Sequence, residues 1–288
     1  MRKLLFLLAT LLLVSCEKML IEDTNSEEGN VILKFSPYTQ STFTRAASSP
    51  EDCFSKMALM IFDANKEKAF DKVKTQTSDD ENFGTFKLTL PEGTYYIVSV
   101  GHNSPVTPTI KSTEAVQFTA KNGRKLFDTF NYYGTIVVGE EETQYDLTMN
   151  RVVAMFRLTI TDEIPAVITQ FKFDYTGGSA NYNPSTGEGY TTSTQSELRT
   201  IDEPLEVYTF PLKVTVPALD TKHLKITVSA LDVDGNIICK KNFVNVPIAV
   251  NKITEYKGAF FDGVAEVGSS GVGFTVNSNW TGTNTYEF

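Results

Sequence analysis

Along most of the chain, apolar and polar residues alternate with a period of two, the signature of half-buried β-strands. Phe86, Leu88 and Leu90 interleave with Thr85, Lys87 and Thr89. Pro91-Glu92-Gly93 follows, and an apolar run resumes over residues 95–100, so the pattern predicts a β-hairpin there. Val31, Ile32, Leu33, Lys34 and Phe35 read as a short first strand. Residues 56–62 read as a second, and the unbroken apolar stretch from Met57 to Phe62 suggests burial on both faces. Further strands are expected at 115–119, 134–138 and 144–149. The rhythm restarts at 151–161 and continues at 168–175, 206–216, 223–231, 237–246, 254–260 and 273–276, with Asp234-Gly235-Asn236 as a turn. Long helices find no support; short ones could sit near 126–132 or 194–201. Many short strands separated by Gly, Pro and Asn turns define an all-β chain of two Greek-key sandwiches, expected at 31–147 and 148–288.

The first thirty residues break this rhythm. Arg2 and Lys3 precede an apolar run over residues 4–14, then Ser15 and Cys16. A run of about 11 residues falls short of the roughly 20 needed to span a bilayer as a helix, so residues 1–15 read as a secretory signal peptide. Leu13-Val14-Ser15-Cys16 resembles the bacterial lipobox, which makes Cys16 the expected lipid attachment site. Acyl chains contribute about 0.8 kcal/mol per buried methylene, so two or three of them hold a protein on a membrane without a spanning helix. Residues 16–30 carry Glu22, Asp23, Glu27 and Glu28 without a sustained apolar period and read as a polar tether. Together these features predict a lipid-anchored protein; acidic residues soon after the cysteine also resemble the signals that carry some lipoproteins across the cell outer membrane to the surface, and suit a plain solvated linker equally well.

The formal net charge of −9 becomes more negative once Arg2 and Lys3 leave with the signal peptide. An acidic surface repels phosphate backbones, and nucleic acid is excluded as a partner. An oxidising compartment would permit a disulfide between Cys53 and Cys239, but their separation argues for different domains. His102 and His223 are too few for a histidine metal cluster and are expected at strand ends facing water. Asp232-Val233-Asp234-Gly235-Asn236 begins like a calcium loop. The position that should supply a bidentate glutamate is Phe243, so a hairpin turn is the better reading. The acidic runs 79–81 and 140–142 read as solvated loops. No nucleophile elbow, zinc-protease helix or phosphate loop occurs, so the chain offers no catalytic residues, and neither metal nor cofactor is expected. Residues 177–194, with Tyr182 and Tyr190 among Gly, Asn, Ser and Thr, have a composition that could meet carbohydrate or a host surface, and equally that of a plain loop. Trp280 reads as a core or strand-end anchor.

Several segments in order resemble the fimbrillin superfamily. They are the lipobox and acidic tether, the strand at 31–35, Thr44-Arg45-Ala46, and Ile61-Phe62-Asp63. Leu90-Pro-Glu-Gly-Thr-Tyr95, Met149-Asn-Arg151-Val-Val-Ala154, Asp162-Glu-Ile-Pro165, Val250-Asn251-Lys-Ile-Thr-Glu-Tyr256 and the Trp280 segment complete the series. The resemblance implies transthyretin-like sandwiches, a role in cell adhesion, and other fimbrial subunits as partners. It also implies assembly by β-strand donation, with Val31 to Phe35 as the exchanged or retained strand and Arg45 as the candidate proteolytic site. Within that family the chain looks closer to the anchor or minor subunits than to the shaft. A surface glycan-binding lipoprotein is the alternative.

Overall fold

Alternation in the first half resolves into nine strands, seven of them around one apolar core. They are β1 (Val31–Pro37), β2 (Lys56–Phe62), β3 (Lys74–Thr77), β4 (Thr85–Leu88), β5 (Gly93–His102), β6 (Thr109–Ser112), β7 (Ala115–Gln117), β8 (Thr129–Val138) and β9 (Thr143–Arg151). The computed structural model describes residues 29–38, 49–118, 126–213, 223–262, 269–270 and 282–288. Seven of the nine strands form one continuous sheet in the order β3-β2-β5-β8-β9-β1-β4, folded over on itself. The fold line is where β8 meets β9, at Phe130 opposite Arg151 and Asn131 opposite Asn150. Leu33, Phe35, Leu59, Ile61, Phe86, Leu88, Ile97, Ile136 and Met149 fill the space between the two layers. The side opposite the fold line stays open between the edge strands β3 and β4.

The second half repeats this plan with β10 (Ala154–Ile160), β11 (Ile164–Pro165), β12 (Gln170–Gly178), β13 (Asn181–Asn183), β14 (Glu188–Gly189), β15 (Ser193–Thr200), β16 (Glu206–Thr209), β17 (His223–Leu231), β18 (Ile237–Pro247), β19 (Ile253–Gly258), β20 (Ser269–Ser270) and β21 (Thr283–Glu287). One layer is β15-β12-β17-β18 and the other β16-β10-β19-β21. In each half the first strand pairs parallel with a late strand, β1 with β9 and β10 with β19, and antiparallel with an earlier one, β4 or β16. The expected boundary at 147/148 falls inside β9. Leu147 and Met149 still belong to the first core, and Ala154 opens the second.

The two halves are joined by more than the chain between them. A third sheet, β14-β13-β7-β6, takes two strands from each half, with Asn181 opposite Gln117 and Tyr182 opposite Val116. Beneath it a third core gathers Met60, Phe62, Val98, Val100, Ile110, Val116, Val153, Tyr182 and Phe210. The apolar run of β2 is therefore buried on both faces, as its sequence suggests, because its outer face is roofed by this sheet.

Three expectations are corrected. β4 and β5 do not form a hairpin: β4 pairs with β1 and β5 with β2 and β8, in opposite layers. Leu90 and Pro91 turn the corner between layers, held by Asn30, whose Nδ2–H donates to the Leu90 carbonyl (2.8 Å) and whose Oδ1 accepts the Leu90 N–H (2.9 Å). The segments 126–132 and 194–201 hold no helix: residues 129–132 lie in β8 and residues 194–200 in β15. His102 ends a strand but faces inward beside Phe118 and is fully buried, whereas His223 is half-buried.

Candidate functional site

The strand that the sequence singles out as exchangeable sits between two neighbours. Residues Val31 to Lys34 pair antiparallel with Leu88 to Thr85, and Val31 to Pro37 pair parallel with Thr143 to Met149. Val31, Leu33 and Phe35 point into the core, each essentially inaccessible, while Lys34 lies exposed on the opposite face. The Phe35 ring packs edge-on against Phe86 (6.0 Å) and Tyr132 (5.9 Å). Full burial of side chains this size contributes about 1.5–3 kcal/mol each, so these three supply roughly half of a typical domain's net stability of about 5–15 kcal/mol. Withdrawing β1 would leave an apolar slot and two unpaired ladder edges, on β4 and β9, that only another extended strand could satisfy.

Cys16, Arg45 and Trp280 lie outside the described residues, and so do residues 273–276. Cys53 is buried in the first core, and Cys239 lies beside the second, its thiol donating to the Phe260 carbonyl (3.4 Å). Asp232 anchors the β17–β18 turn: its Oδ1 accepts the N–H groups of Asp234 (3.0 Å) and Asn236 (2.8 Å). The Asn236 Nδ2–H donates to Asp232 Oδ2 (2.9 Å), and that bond first, then the backbone bonds, holds the Asp232 carboxyl below the usual carboxylate range. Among the described residues no cluster of three or more His, Cys, Asp or Glu is placed to hold a metal ion. Also among them, no helix is long and apolar enough to cross a membrane.

Residues 177–194 do not form a free loop. They build β13 and β14 of the joining sheet, and Tyr182 is fully buried, stacked on Phe210 at 4.5 Å. Its hydroxyl donates to Asn131 Oδ1 (3.1 Å), and Asn131 Nδ2–H donates to the Pro184 carbonyl (2.8 Å). Burial pushes the Tyr182 phenol well above its ordinary value. Tyr190 remains exposed. Tyr182 is thus a bolt between the halves and unavailable to a sugar.

Two motifs a hundred residues apart also meet at this junction. Arg151, buried at the end of β9, forks onto both carboxylate oxygens of Asp128 (2.7 and 2.8 Å) and donates through Nη1 to Asn251 Oδ1 (3.1 Å). The Asn251 N–H donates to the Val153 carbonyl (2.8 Å). The guanidinium lies 4.5 Å over the Phe130 ring. Burial pushes the Asp128 carboxyl up, opposed by its bonds to Arg151.

A further surface feature carried no sequence signal. At the open side of the first sandwich, β3 and β4 diverge to form a cleft of about 520 Å³. Its walls carry Lys74, Gln76 and Lys87, with Phe70 and Phe86 at the floor and Asp80 and Glu81 at the turn. Gln76 pins the closed end, its Nε2–H donating to the Thr85 carbonyl (2.7 Å) and its Oε1 accepting the Gly84 N–H (3.0 Å). No local pattern could foretell it, since it depends on which two strands end the sheet.

The chain belongs to the family of fimbrillin-A associated anchor proteins Mfa1 and Mfa2, whose sequence profile matches residues 21–285. It is a family of fimbria-associated structural proteins and not one of enzymes. Among solved structures, the chain is similar to the fimbrial anchor protein Mfa2 from Porphyromonas gingivalis, with 11% identity over 75% of this chain and 82% of that one (TM-score 0.42). It is also similar to a fimbrial assembly protein from Parabacteroides distasonis ATCC 8503, with 12% identity over 80% and 89% of the chains (TM-score 0.41). No curated protein matches the sequence.

Proposed function

We propose that this chain is a fimbrial anchor or minor subunit, lipidated on Cys16, held in the outer membrane, and joined to other fimbrial subunits by β-strand donation in support of cell adhesion. The observation that carries the reading is the placement of β1, a strand paired on both sides whose three inward residues hold the first core together. A subunit that keeps such a strand has no open slot in its first sandwich and starts or ends a polymer; one that loses it to cleavage at Arg45 gains a slot and can extend the polymer. Retention of β1 together with lipid on Cys16 suits the anchor role, because cleavage at Arg45 would release the folded body from its lipid. Glycan binding has lost one of its two motivating aromatics, Tyr182, to the core.

Replacing Cys16 by alanine in the native host tests this reading. Fimbriae should then appear in the culture medium instead of remaining on cells. Cell-bound fimbriae in unchanged amount, with the protein still at the surface, would overturn it.

A further inference from the structure

We propose that the cleft between β3 and β4 accepts one extended segment of a neighbouring fimbrial subunit, paired through its backbone with the outer edge of β4. The identity of that occupant rests on the fimbrial reading above; the edge itself does not. β1 already fills its own place in the first core, so a subunit that keeps it needs another edge through which to take a strand.

Register defines the edge. The Gly84 carbonyl accepts the Phe35 N–H, so the main-chain groups of residues 84, 86 and 88 point to β1, and those of Thr85 and Lys87 point away from it. Thr85 is already engaged, its N–H with the Asn82 carbonyl and its own carbonyl with Gln76. Lys87 therefore presents the donor and acceptor that an added strand would use. On the facing wall the Ser78 N–H donates to the Ser55 carbonyl, so Gln76 and Lys74 bond β2 through their main chain, and the main-chain groups of Thr75 point outward. Each wall is a strand of four residues, about 13 Å long, which a single short segment spans.

The second sandwich has the same opening and closes it from within. β15 lies beside β12 as β3 lies beside β2, and β16 beside β10 as β4 lies beside β1; β15 and β16, like β3 and β4, follow each other directly in the chain. The Leu158 N–H donates to the Leu205 carbonyl, so Glu206 and Tyr208 turn their main chain outward as Lys87 does. There Arg199 donates to the Glu206 carbonyl (2.7 Å) and the Tyr175 hydroxyl to the Tyr208 carbonyl (3.1 Å), leaving a space of about 150 Å³. In the first sandwich Gln76 does this work at the closed end, and about 520 Å³ stays open. An unguarded edge is a liability unless it has a partner, and strand addition is the mode of recognition such an edge supports.

The lining also describes the occupant. Thr75, Gln76, Asn82 and Thr85 give the walls hydroxyl and amide groups, with Phe70 and Phe86 beneath, so the backbone supplies recognition and the segment carries short β-branched residues such as Thr and Val. Asp80 and Glu81 at the closed end have no ion-pair partner among the described residues. They favour a segment whose leading residue is Lys or Arg.

A photo-crosslinking residue in place of Thr75, at the rim of the cleft, tests this on the full chain in its native host. Irradiation should join it to another fimbrial subunit, at a peptide of the character just described when the adduct is read by mass spectrometry. Lys87→Pro removes the outward N–H without breaking the β1 ladder, as proline is tolerated on an edge, and should lower the adduct yield about tenfold, the scale of one lost backbone bond. Lys87→Thr, which keeps that N–H, should leave the yield unchanged. Glu81→Lys, in the exposed turn and clear of the ladder, should lower it severalfold. No adduct would overturn the proposal, and so would an adduct to a second copy of this chain, to a peptide of its own chain or to a protein that is not a fimbrial subunit. Equal yields from Lys87→Pro and Lys87→Thr would overturn it too. Fimbriae shed by the Cys16→Ala host, with no adduct at Thr75, would end this inference and leave the anchor reading standing.

Discussion

Phe35 shows how much one alternating position can carry. Its ring is fully buried between Phe86 and Tyr132, so Phe35→Ala removes both the transfer energy and the packing of an aromatic core residue. A loss of about 3–5 kcal/mol is expected, readable as a lowered urea midpoint; a change below about 1 kcal/mol, the scale of a surface substitution, would mean that β1 is not part of the stable core. His102 is the opposite case, a residue that composition alone places in water. Its Nδ1 has no hydrogen-bond partner among the described residues. Burial, and then the Lys56 charge, lower its pKa to about 4, a bond with the Ser104 backbone acting the other way. The unfolded chain takes up a proton near pH 6.5 while the folded one resists until about 4. Stability from this group is thus complete above pH 6.5 and is lost as pH falls toward 4, by about 3 kcal/mol. Urea titrations at pH 7.5 and 4 should show that extra loss in the native protein and not in His102→Gln. Equal losses in both would place the imidazole in contact with solvent. Local alternation placed the histidine at a strand end correctly, but the Phe118 that covers it comes from a distant segment.

The element scale explains which strands could be read directly. β2 and β17 match their expected bounds because β2 is a nearly unbroken apolar run and β17 alternates, with Leu224, Ile226, Val228 and Ala230 pointing inward. β15 was harder, since its inward side chains are Gln195, Glu197 and Arg199, which look like a solvated surface. Its pattern is nonetheless strict alternation, with the charges on the buried side. Arg199 donates to Glu197 (2.6 Å) and to the Glu206 carbonyl (2.7 Å), and the Tyr175 hydroxyl donates to the other Glu197 oxygen (2.6 Å). Burial and the adjacent Glu197 charge push the Tyr175 phenol well above its ordinary value. Inward-facing charge on an edge strand also discourages pairing with a foreign strand in the wrong register. Glu197→Leu leaves Arg199 buried without its carboxylate and should cost about 3–5 kcal/mol, while Glu197→Leu with Arg199→Met should recover much of that loss. A double variant no more stable than the single one would assign the cost to packing instead of charge. The hairpin expected at 85–100 failed for a different reason. Two adjacent alternating runs fit a hairpin or a crossover between layers equally well, and Asn30, sixty positions away, decides it.

At the scale of the whole molecule, the sequence reveals two similar halves but not what locks them. The restart at residue 151 is legible as rhythm. The joining sheet is assembled from strands of two to four residues, too short for periodicity to mark, and from a tyrosine that reads equally well as a ligand platform. With Tyr182, Phe210 and Val116 in one core, the two sandwiches should unfold in a single calorimetric transition. Tyr182→Ala, which empties the centre of that core and frees Asn131, should split the endotherm into two. Two transitions already present in the native protein would show that the joining sheet does not couple the halves.

The proposed anchoring role turns on the chemical state of one end of the chain, read directly by mass spectrometry of the N-terminal peptide from protein isolated at the cell surface. A diacylated Cys16 with residues 31–37 still attached is the expected result. An unmodified N-terminus at Ala46, with β1 gone, would contradict it and make the chain a polymerising subunit.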